Sequence, residues 1–316
     1  MPDVRRRKGV NVILVAEEAA GVQTLRAILK TRHRILGVVT SADALTHRGA
    51  TVRGVAEAAG CPIWPATTVR DPRFGDRLRE AGVEVLLNVH SLRLIDPAVL
   101  QAPAIGSFNL HPGPLPEYSG LNAPSWAIFN GESRHAVTVH WMAPEIDTGP
   151  VAFREELPTD ESDTGLTLSA KCVRAGVPLM LKLLDLADDN PASIPRVPQD
   201  RTRRRYYGRE VPDNGRLCWS QPAEHIVRFV RACDYSPLPS PWGYPRTRFK
   251  GEPCEIIKAS RTARRCNVPA GTVGTVEQDS AHVAAVDEWV ALSRIRVAGR
   301  VVPASEVLTA GARLED

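Results

Sequence analysis

Short β-branched apolar runs alternate with segments of helical periodicity over the first third of the chain, and this alternation limits the possible folds most strongly. The run VNVILVA at 10–16, for example, is followed by apolar residues at helical spacing and then by a second run, ILGVVT. Strands that are apolar on both faces are typical of a parallel sheet covered by helices. Right-handed crossovers between such strands predict a doubly wound, mostly parallel, Rossmann-like α/β domain. The runs lie at 10–16, 35–40, 62–65, 83–89 and 105–110, and the helical segments at 22–29, 51–60 and 72–81.

The length of 316 residues, with 43% hydrophobic residues, favours two domains. Strands at 137–142 and 151–153 and a helix at 164–186, which we expect to kink at Pro178, complete the first domain. A stretch rich in proline and charge, with an arginine cluster at 201–205, then predicts a linker. The short strands and turns beyond it predict a smaller β-barrel, similar to an OB fold. We assign 1–188 to a catalytic domain, 189–208 to the linker and 209–316 to the OB-like domain.

Composition excludes several classes of protein. No apolar run approaches the roughly 18 residues of a membrane span, and the charged start has no apolar run with a cleavage site behind it, so we expect a cytoplasmic protein with no membrane partner. The six cysteines are dispersed, which favours buried thiols over a metal site. A net charge of +4 permits a phosphate-bearing partner without requiring nucleic acid.

The familiar nucleotide and hydrolase motifs are missing. After the first strand the chain reads AEEAAG where a dinucleotide-binding protein has GxGxxG, and neither GxxxxGK[ST], HExxH nor GxSxG occurs. These absences argue against dehydrogenases, kinases, zinc proteases and esterases.

The segment SFNLHPGPLPEYSG at 107–120 carries the best candidate site, because a buried strand there runs directly into a proline- and glycine-rich loop. Ligands of open parallel sheets bind at the carboxyl ends of the strands, and residues two apart share a face. Asn109 can therefore donate to an oxyanion beside His111, which can accept a proton near neutral pH. A lone histidine at a strand end is more often structural, but this position and the neighbouring amide favour catalysis.

A second candidate lies in the turn PEIDTGP at 144–150. Asp147 in this turn could orient and charge-stabilise His111 in the same crevice. Alternatively, it could form an Asx turn that only caps its own backbone. The segment alone favours neither role.

Together these motifs resemble the folate-dependent formyltransferase family, which includes methionyl-tRNA formyltransferase and the amino-sugar N-formyltransferases. The similar stretches are Asn109-x-His111-Pro112 with LPEYSG, then Ile146-Asp147-Thr148-Gly149, and they extend past the linker to the closing PASEVLTAGARL. The resemblance implies 10-formyltetrahydrofolate as donor, no metal, and Asn109, His111 and Asp147 as catalytic residues.

The resemblance also implies positions for both substrates. The pterin ring is expected beside residues 87–95, with the loop at 144–146 over it, and the acceptor beside residues 118–122. Leu87, Leu92 and Leu94 could equally be packing residues. The residues implied for donor binding are Leu87, Asn88, Val89, His90, Leu92, Pro144, Glu145 and Ile146, and those implied for acceptor binding are Tyr118, Ser119, Gly120 and Asn122.

The acceptor is less closely defined. Translation-type members of the family carry a longer basic loop after the second strand and an arginine before the glycine of LPxYxG, whereas this chain has the short loop SADALTHRGA at 41–50 and Ser119. We therefore expect a small-molecule amine, such as a nucleotide-linked amino sugar or an amino-acid-derived metabolite. The second domain and the arginines at 201–205, 261, 264 and 265 leave methionyl-tRNA as the alternative acceptor.

Two further alternatives stay open. Water in the acceptor pocket would make the protein a 10-formyltetrahydrofolate hydrolase, and loss of activity would make it a non-catalytic RNA-binding or scaffold protein. The sequence permits either a monomer or a homodimer.

Overall fold

A computed structural model describes residues 8–42 and 49–316. Most of the loop at 41–50, on which the acceptor prediction partly rests, lies outside the described residues. The chain divides into two compact units, which are described separately. The first comprises the described residues up to Gly120 together with His135–Leu157 and Ala170–Tyr206, and the second comprises Leu121–Arg134, Pro158–Ser169 and Tyr207–Asp316.

The first unit is built on a sheet of seven strands in the order β3-β2-β1-β4-β5-β7-β8. Strands β1 to β5 pair in parallel, whereas β7 pairs with β5 in antiparallel orientation. The strands up to residue 158 are β1 (Asn11–Ala16), β2 (Arg34–Thr40), β3 (Ile63–Pro65), β4 (Val85–Val89), β5 (Gly106–His111), the short β6 (Ser119–Gly120), β7 (Arg134–Trp141) and β8 (Val151–Pro158). The helices up to residue 189 are α1 (Glu18–Ile28), α2 (Val52–Ala58), α3 (Arg73–Glu80), α4 (Pro97–Leu100), α5 (Ala123–Asn130) and α6 (Gly165–Asp189), which contains Pro178.

The alternation of side chains along the strands explains why this sheet is covered on both faces. Val12 and Leu14 of β1 belong to one hydrophobic cluster, whereas Ile13 and Val15 belong to the other. All five residues of β4 are buried. A strand buried on both faces needs a continuous apolar run, which is the pattern that the sequence shows.

The second unit contains α5, the helix α7 (Ala223–Cys233) and an antiparallel half-barrel sheet. Its strands run in the order β12-β13-β14-β11-β10-β16, with β15 paired to β14. A mostly parallel Rossmann-like sheet followed by this smaller barrel-like sheet confirms the predicted fold class. The strands after residue 205 are β9 (Tyr206–Tyr207), β10 (Arg246–Phe249), β11 (Glu252–Arg265), β12 (Val273–Val276), β13 (Ala281–Ala284), β14 (Glu288–Val297), β15 (Arg300–Pro303) and β16 (Leu314–Glu315).

No helix in the described part of the chain is long and apolar enough to cross a membrane. The assignment of 189–208 as a linker stays a prediction.

Candidate active site

Three polar side chains form a row across neighbouring strands of the first unit. Asn88 on β4 is in register with Asn109 on β5, and Asn109 is in register with His140 on β7. Residues in register on adjacent strands have Cβ atoms only about 5 Å apart, so their side chains can bond directly. The row lies near the carboxyl ends of β4 and β5, at the edge where open α/β sheets bind ligands.

The hydrogen bonds along this row have a single direction. In the tautomer with its proton on Nδ1, His140 donates to the Trp141 carbonyl at 2.8 Å and accepts at Nε2 from Asn109 Nδ2 at 3.0 Å. Asn109 Oδ1 in turn accepts from Asn88 Nδ2 at 2.9 Å. The tautomer of His140 therefore fixes which way the Asn109 amide points.

His111 is buried at the end of β5, and its two ring nitrogens face different partners. Nε2 lies 2.6 Å from the Tyr118 carbonyl and donates to it, which leaves Nδ1 3.5 Å from Oδ2 of Asp147. Burial lowers the pKa of His111, although Asp147 and the Tyr118 carbonyl act in the opposite direction. The imidazole is consequently a neutral base with its lone pair on the side of Asp147.

Asp147 lies in the turn between β7 and β8, and its carboxylate faces the strand residues. Oδ2 accepts from the Gly120 amide at 2.8 Å, while Oδ1 lies 3.4 Å from His140 Nε2 and 3.5 Å from Asn109 Nδ2. Burial raises the pKa of Asp147, but attraction to the protonated forms of His111 and His140 and the hydrogen bond from the Gly120 amide hold it below its usual value. The structure thus brings the side chains of Asn109 and His111 next to the ionised carboxylate of Asp147.

The residues that the resemblance assigns to donor binding fall into two groups. Leu87 and Val89 are fully buried in the core, which matches a packing role, whereas Leu92 is 76% exposed and Leu94 is 61% exposed. His90 has a left-handed backbone (φ 55°), and its Nδ1 lies 3.3 Å from a Glu18 carboxylate oxygen.

The other residues assigned to donor binding differ in exposure. Asn88 is buried and also approaches the Ser91 carbonyl at 3.3 Å. Pro144, Glu145 and Ile146 are exposed on the loop that precedes Asp147. A donor-binding role for all of these residues stays a prediction.

The residues assigned to acceptor binding are mostly enclosed. Tyr118 is buried, and Ser119 is fully buried, with its hydroxyl donating to the Pro116 carbonyl. The Gly120 amide is held by Asp147. Asn122 belongs to the second unit, where it precedes α5 with a left-handed backbone (φ 57°). Their role in acceptor binding also stays a prediction.

Sequence reasoning missed His140 and Gln199. The alternation at 137–142 predicts the strand that carries His140, but nothing in it indicates that this strand lies antiparallel beside β5. Gln199 donates from Nε2 to the carbonyls of Asp147 at 2.9 Å and Gly149 at 2.6 Å, across a sequence separation that no local motif reveals. In the described part of the chain, no group of three or more His, Cys, Asp or Glu side chains could hold a metal ion.

Two protein-family models match this sequence over most of its length. A model described as formyl transferase matches residues 8–184, and one for the formyl transferase C-terminal domain matches 211–311. The chain belongs to the formyl transferase family. This confirms the family that the motifs indicate.

Relatives of this formyl transferase match along nearly their whole length. A methionyl-tRNA formyltransferase from Parabacteroides distasonis is 26% identical over 93% of each chain, and one from Thiobacillus denitrificans is 28% identical over 96% of this chain and 99% of its own. The curated names therefore favour the methionyl-tRNA alternative over the small-molecule acceptor that the sequence leads us to expect.

Solved structures show the same fold. A sugar 3N-formyl transferase, WlaRD, solved in the presence of dTDP and 5-N-formyl-THF, superposes with a TM-score of 0.69 at 16% identity over 90% of this chain and 97% of its own. An N-formyltransferase from Helicobacter canadensis, in complex with folinic acid and dTDP-3-aminofucose, gives 0.68 at 17% identity over 91% of this chain and 100% of its own. At such identities the likeness concerns the fold alone.

Proposed function

We propose that this formyl transferase moves a formyl group from 10-formyltetrahydrofolate to an amine, with Asn109, His111 and Asp147 as catalytic residues. The observation that carries the proposal is the convergence of an oriented amide, a neutral imidazole and a carboxylate at one edge of the sheet. The reduced-folate derivatives in the two neighbouring structures support the choice of donor.

The chemistry follows from where the protons lie. The amine nitrogen attacks the formyl carbon, and the second Nδ2 hydrogen of Asn109, which makes only a 3.5 Å contact with Asp147, stabilises the oxyanion. Nδ1 of His111 takes the surplus proton, because Nε2 already carries one, and Asp147 stabilises the resulting imidazolium. Collapse of the tetrahedral intermediate breaks the bond to the folate nitrogen, which leaves with the proton that His111 Nδ1 returns, so that the imidazole is neutral again.

The donor site in this proposal uses exposed apolar side chains that follow β4 in the chain. Leu92 and Leu94 offer apolar surface, and the loop at 144–146 lies just before Asp147.

For the acceptor we propose the α-amino group of methionyl-tRNA, following the curated relatives. The second unit offers a supporting feature, because exposed Lys258 on β11 lies directly opposite exposed Arg294 on β14. Like charges in register repel each other, and a phosphate backbone bound there would offset that repulsion.

A small-molecule amine is the second candidate. Its support is Ser119, whose hydroxyl is buried against the Pro116 carbonyl, so the position offers no cation to a tRNA phosphate. Nucleotide-linked amino sugars are the acceptors to try first, because sugar N-formyltransferases share the fold.

The test is an acceptor screen with 10-formyltetrahydrofolate, in which release of tetrahydrofolate is followed by absorbance. Methionyl initiator tRNA, the same tRNA uncharged, and a set of nucleotide-linked amino sugars are compared, with Asn109→Ala as the inactive control. Turnover with charged tRNA alone supports the first acceptor, and turnover with an amino sugar alone supports the second. Formate released without any acceptor indicates a hydrolase, and failure to bind reduced folate indicates a non-catalytic protein.

A further inference from the structure

The loop that carries Asp147 needs contacts from outside itself. Pro144, Glu145 and Ile146 are exposed, and Asp147 has a left-handed backbone with φ 55°. A non-glycine residue in this region costs roughly 1–3 kcal/mol and persists only where surrounding contacts hold it. Within the loop, the Thr148 hydroxyl donates to the Glu145 carbonyl at 2.9 Å. The Gly120 amide holds the Asp147 carboxylate from outside the loop, but this bond does not fix the main chain on either side of Asp147.

Gln199 supplies the missing contacts to the main chain. Its Nε2 donates to the carbonyls on both sides of Thr148, those of Asp147 and Gly149. Two carbonyl acceptors require the amide nitrogen on this side, so the orientation of the Gln199 side chain is fixed. Its Oε1 is buried without a hydrogen-bond partner among the described residues, a cost that the two donated bonds must offset.

The arginines that follow Gln199 hold the same loop from its exposed side. Arg204 donates from Nη2 to the Ile146 carbonyl at 3.0 Å, and both Arg201 and Arg204 form ion pairs with Glu145. With Gln199, the segment thus supplies donors to three of the loop's carbonyls and to its one acidic side chain besides Asp147.

The end of this segment contacts the loop that positions His111. The Arg205 amide donates to the Pro116 carbonyl at 3.3 Å, and the Ser119 amide donates to the Arg205 carbonyl at 3.0 Å. Arg203 pairs with Glu117. Between these contacts lies Tyr118, whose carbonyl accepts the Nε2 proton of His111.

We propose that Gln199–Arg205 is a strap that holds the two catalytic loops in place, and that Gln199 is a positioning residue for Asp147. The inference rests on the proposed function for its catalytic part, since Asp147 matters only if the transfer reaction occurs. It assigns the arginine cluster a role within the molecule, because Arg201, Arg203 and Arg204 all have acidic partners here.

The test compares two variants of Gln199 with a matched control. Gln199→Met keeps the length of the side chain and removes the donor, and Gln199→Glu keeps its shape but sets a carboxylate against two carbonyls. Gln101→Ala, at an exposed position just after α4, is the control. Thermal unfolding establishes that each variant is folded.

Hydrogen exchange measures the loop directly, without any substrate. We expect the amides at 145–149 to exchange faster in both Gln199 variants than in wild type, and to be unchanged in Gln101→Ala. Unchanged exchange in folded Gln199→Met and Gln199→Glu would overturn the strap. This readout is independent of whether the wild-type protein transfers formyl groups, so failure of the proposed function is seen separately.

Kinetics measure the positioning role. A misplacement of about 1 Å at a reacting group costs up to roughly a hundredfold in rate, so we expect kcat to fall by about ten- to a hundredfold with little change in KM for the donor. The acidic limb of the pH profile should also move to lower pH, because His111, the base, loses part of the attraction to the Asp147 carboxylate that raises its pKa. A folded Gln199→Met with wild-type kcat and an unchanged profile would show that the strap does not position Asp147.

Discussion

Asn88, Asn109 and His140 are joined by hydrogen bonds in that order and form the amide row. Asn88→Asp tests whether this row sets the orientation of the catalytic Asn109 amide. In the wild type, Asn88 Nδ2 donates to Asn109 Oδ1 at 2.9 Å and to the Ser91 carbonyl at 3.3 Å. A carboxylate of the same shape places an acceptor against both of these oxygens. Asn109 can relieve the conflict only by turning its amide through 180°, which directs its NH2 group to the introduced carboxylate and its Oδ1 to His140.

The expected magnitude follows from which bonds are lost. Two net hydrogen bonds of about 1 kcal/mol each lower the stability of the fold by roughly 2 kcal/mol. Turning the amide removes the donor from the developing oxyanion, which costs about 3–4 kcal/mol, or about a hundred- to a thousandfold in kcat. Asn88→Ala leaves Asn109 Oδ1 without a donor but sets nothing against it, so its kcat should fall less.

The assay is the initial rate of tetrahydrofolate release at saturating donor and acceptor, with circular dichroism to confirm folding. Activity of Asn88→Asp should recover partly as the pH is lowered, because a protonated carboxyl group can again donate to Asn109 Oδ1. If folded Asn88→Asp keeps a rate within about threefold of wild type, or if Asn88→Ala loses more than Asn88→Asp, the amide row does not control the oxyanion donor.

Three further predictions concern single positions of the first unit. Asn109→Ala should lower kcat by about a hundred- to a thousandfold with a smaller change in KM, measured in the same assay, because it removes the oxyanion donor itself; an effect on KM alone would contradict this. Gly149→Ala should lower the free energy of unfolding by about 1–3 kcal/mol, since a Cβ there would lie 1.9 Å from the Trp141 carbonyl oxygen. Urea unfolding should show this loss at constant m-value, and a wild-type midpoint would contradict the prediction. Burial lowers the pKa of His135 to about 4, so the unfolded chain takes up a proton between about pH 6.5 and pH 4 that the folded chain does not. This residue should therefore cost about 3 kcal/mol of stability on acidification from pH 7 to pH 4, and His135→Gln should unfold with a shallower pH dependence in urea titrations.

The sequence predicts the first sheet well because each parallel strand carries its own signal. Val12 to Val15 are apolar without interruption, and a strand with that pattern is buried on both faces wherever it lies in the sheet. The same property predicts that Asn109 and His111 share a face, since side-chain direction alternates along any strand.

Register and long-range contacts carry no such local signal. His140 acts on Asn109 only because β7 lies antiparallel beside β5 in one register, and a shift of one residue would turn it to the other face. Gln199 contacts the Asp147 loop from a segment whose composition indicates only a linker. The burial of Ser119 likewise depends on the contacts of its loop, which a motif does not describe.

The two halves of the proposed chemistry are held by different parts of the fold. The Asn109 amide takes its direction from β4 and β7, through Asn88 and His140, so it is fixed by strand register. The proton on His111 and the carboxylate of Asp147 take their positions from the loops, through Tyr118 and Gln199. Damage to the strap should therefore change the pH dependence of catalysis and leave the oxyanion donor in place. Damage to the amide row should instead lower kcat at every pH at which the Asn109 NH2 group points away from the oxyanion. Combining Gln199→Met with Asn88→Ala separates these halves: if they are independent, the losses in kcat multiply, and a double variant no slower than the slower single variant would show that strands and loops form one unit.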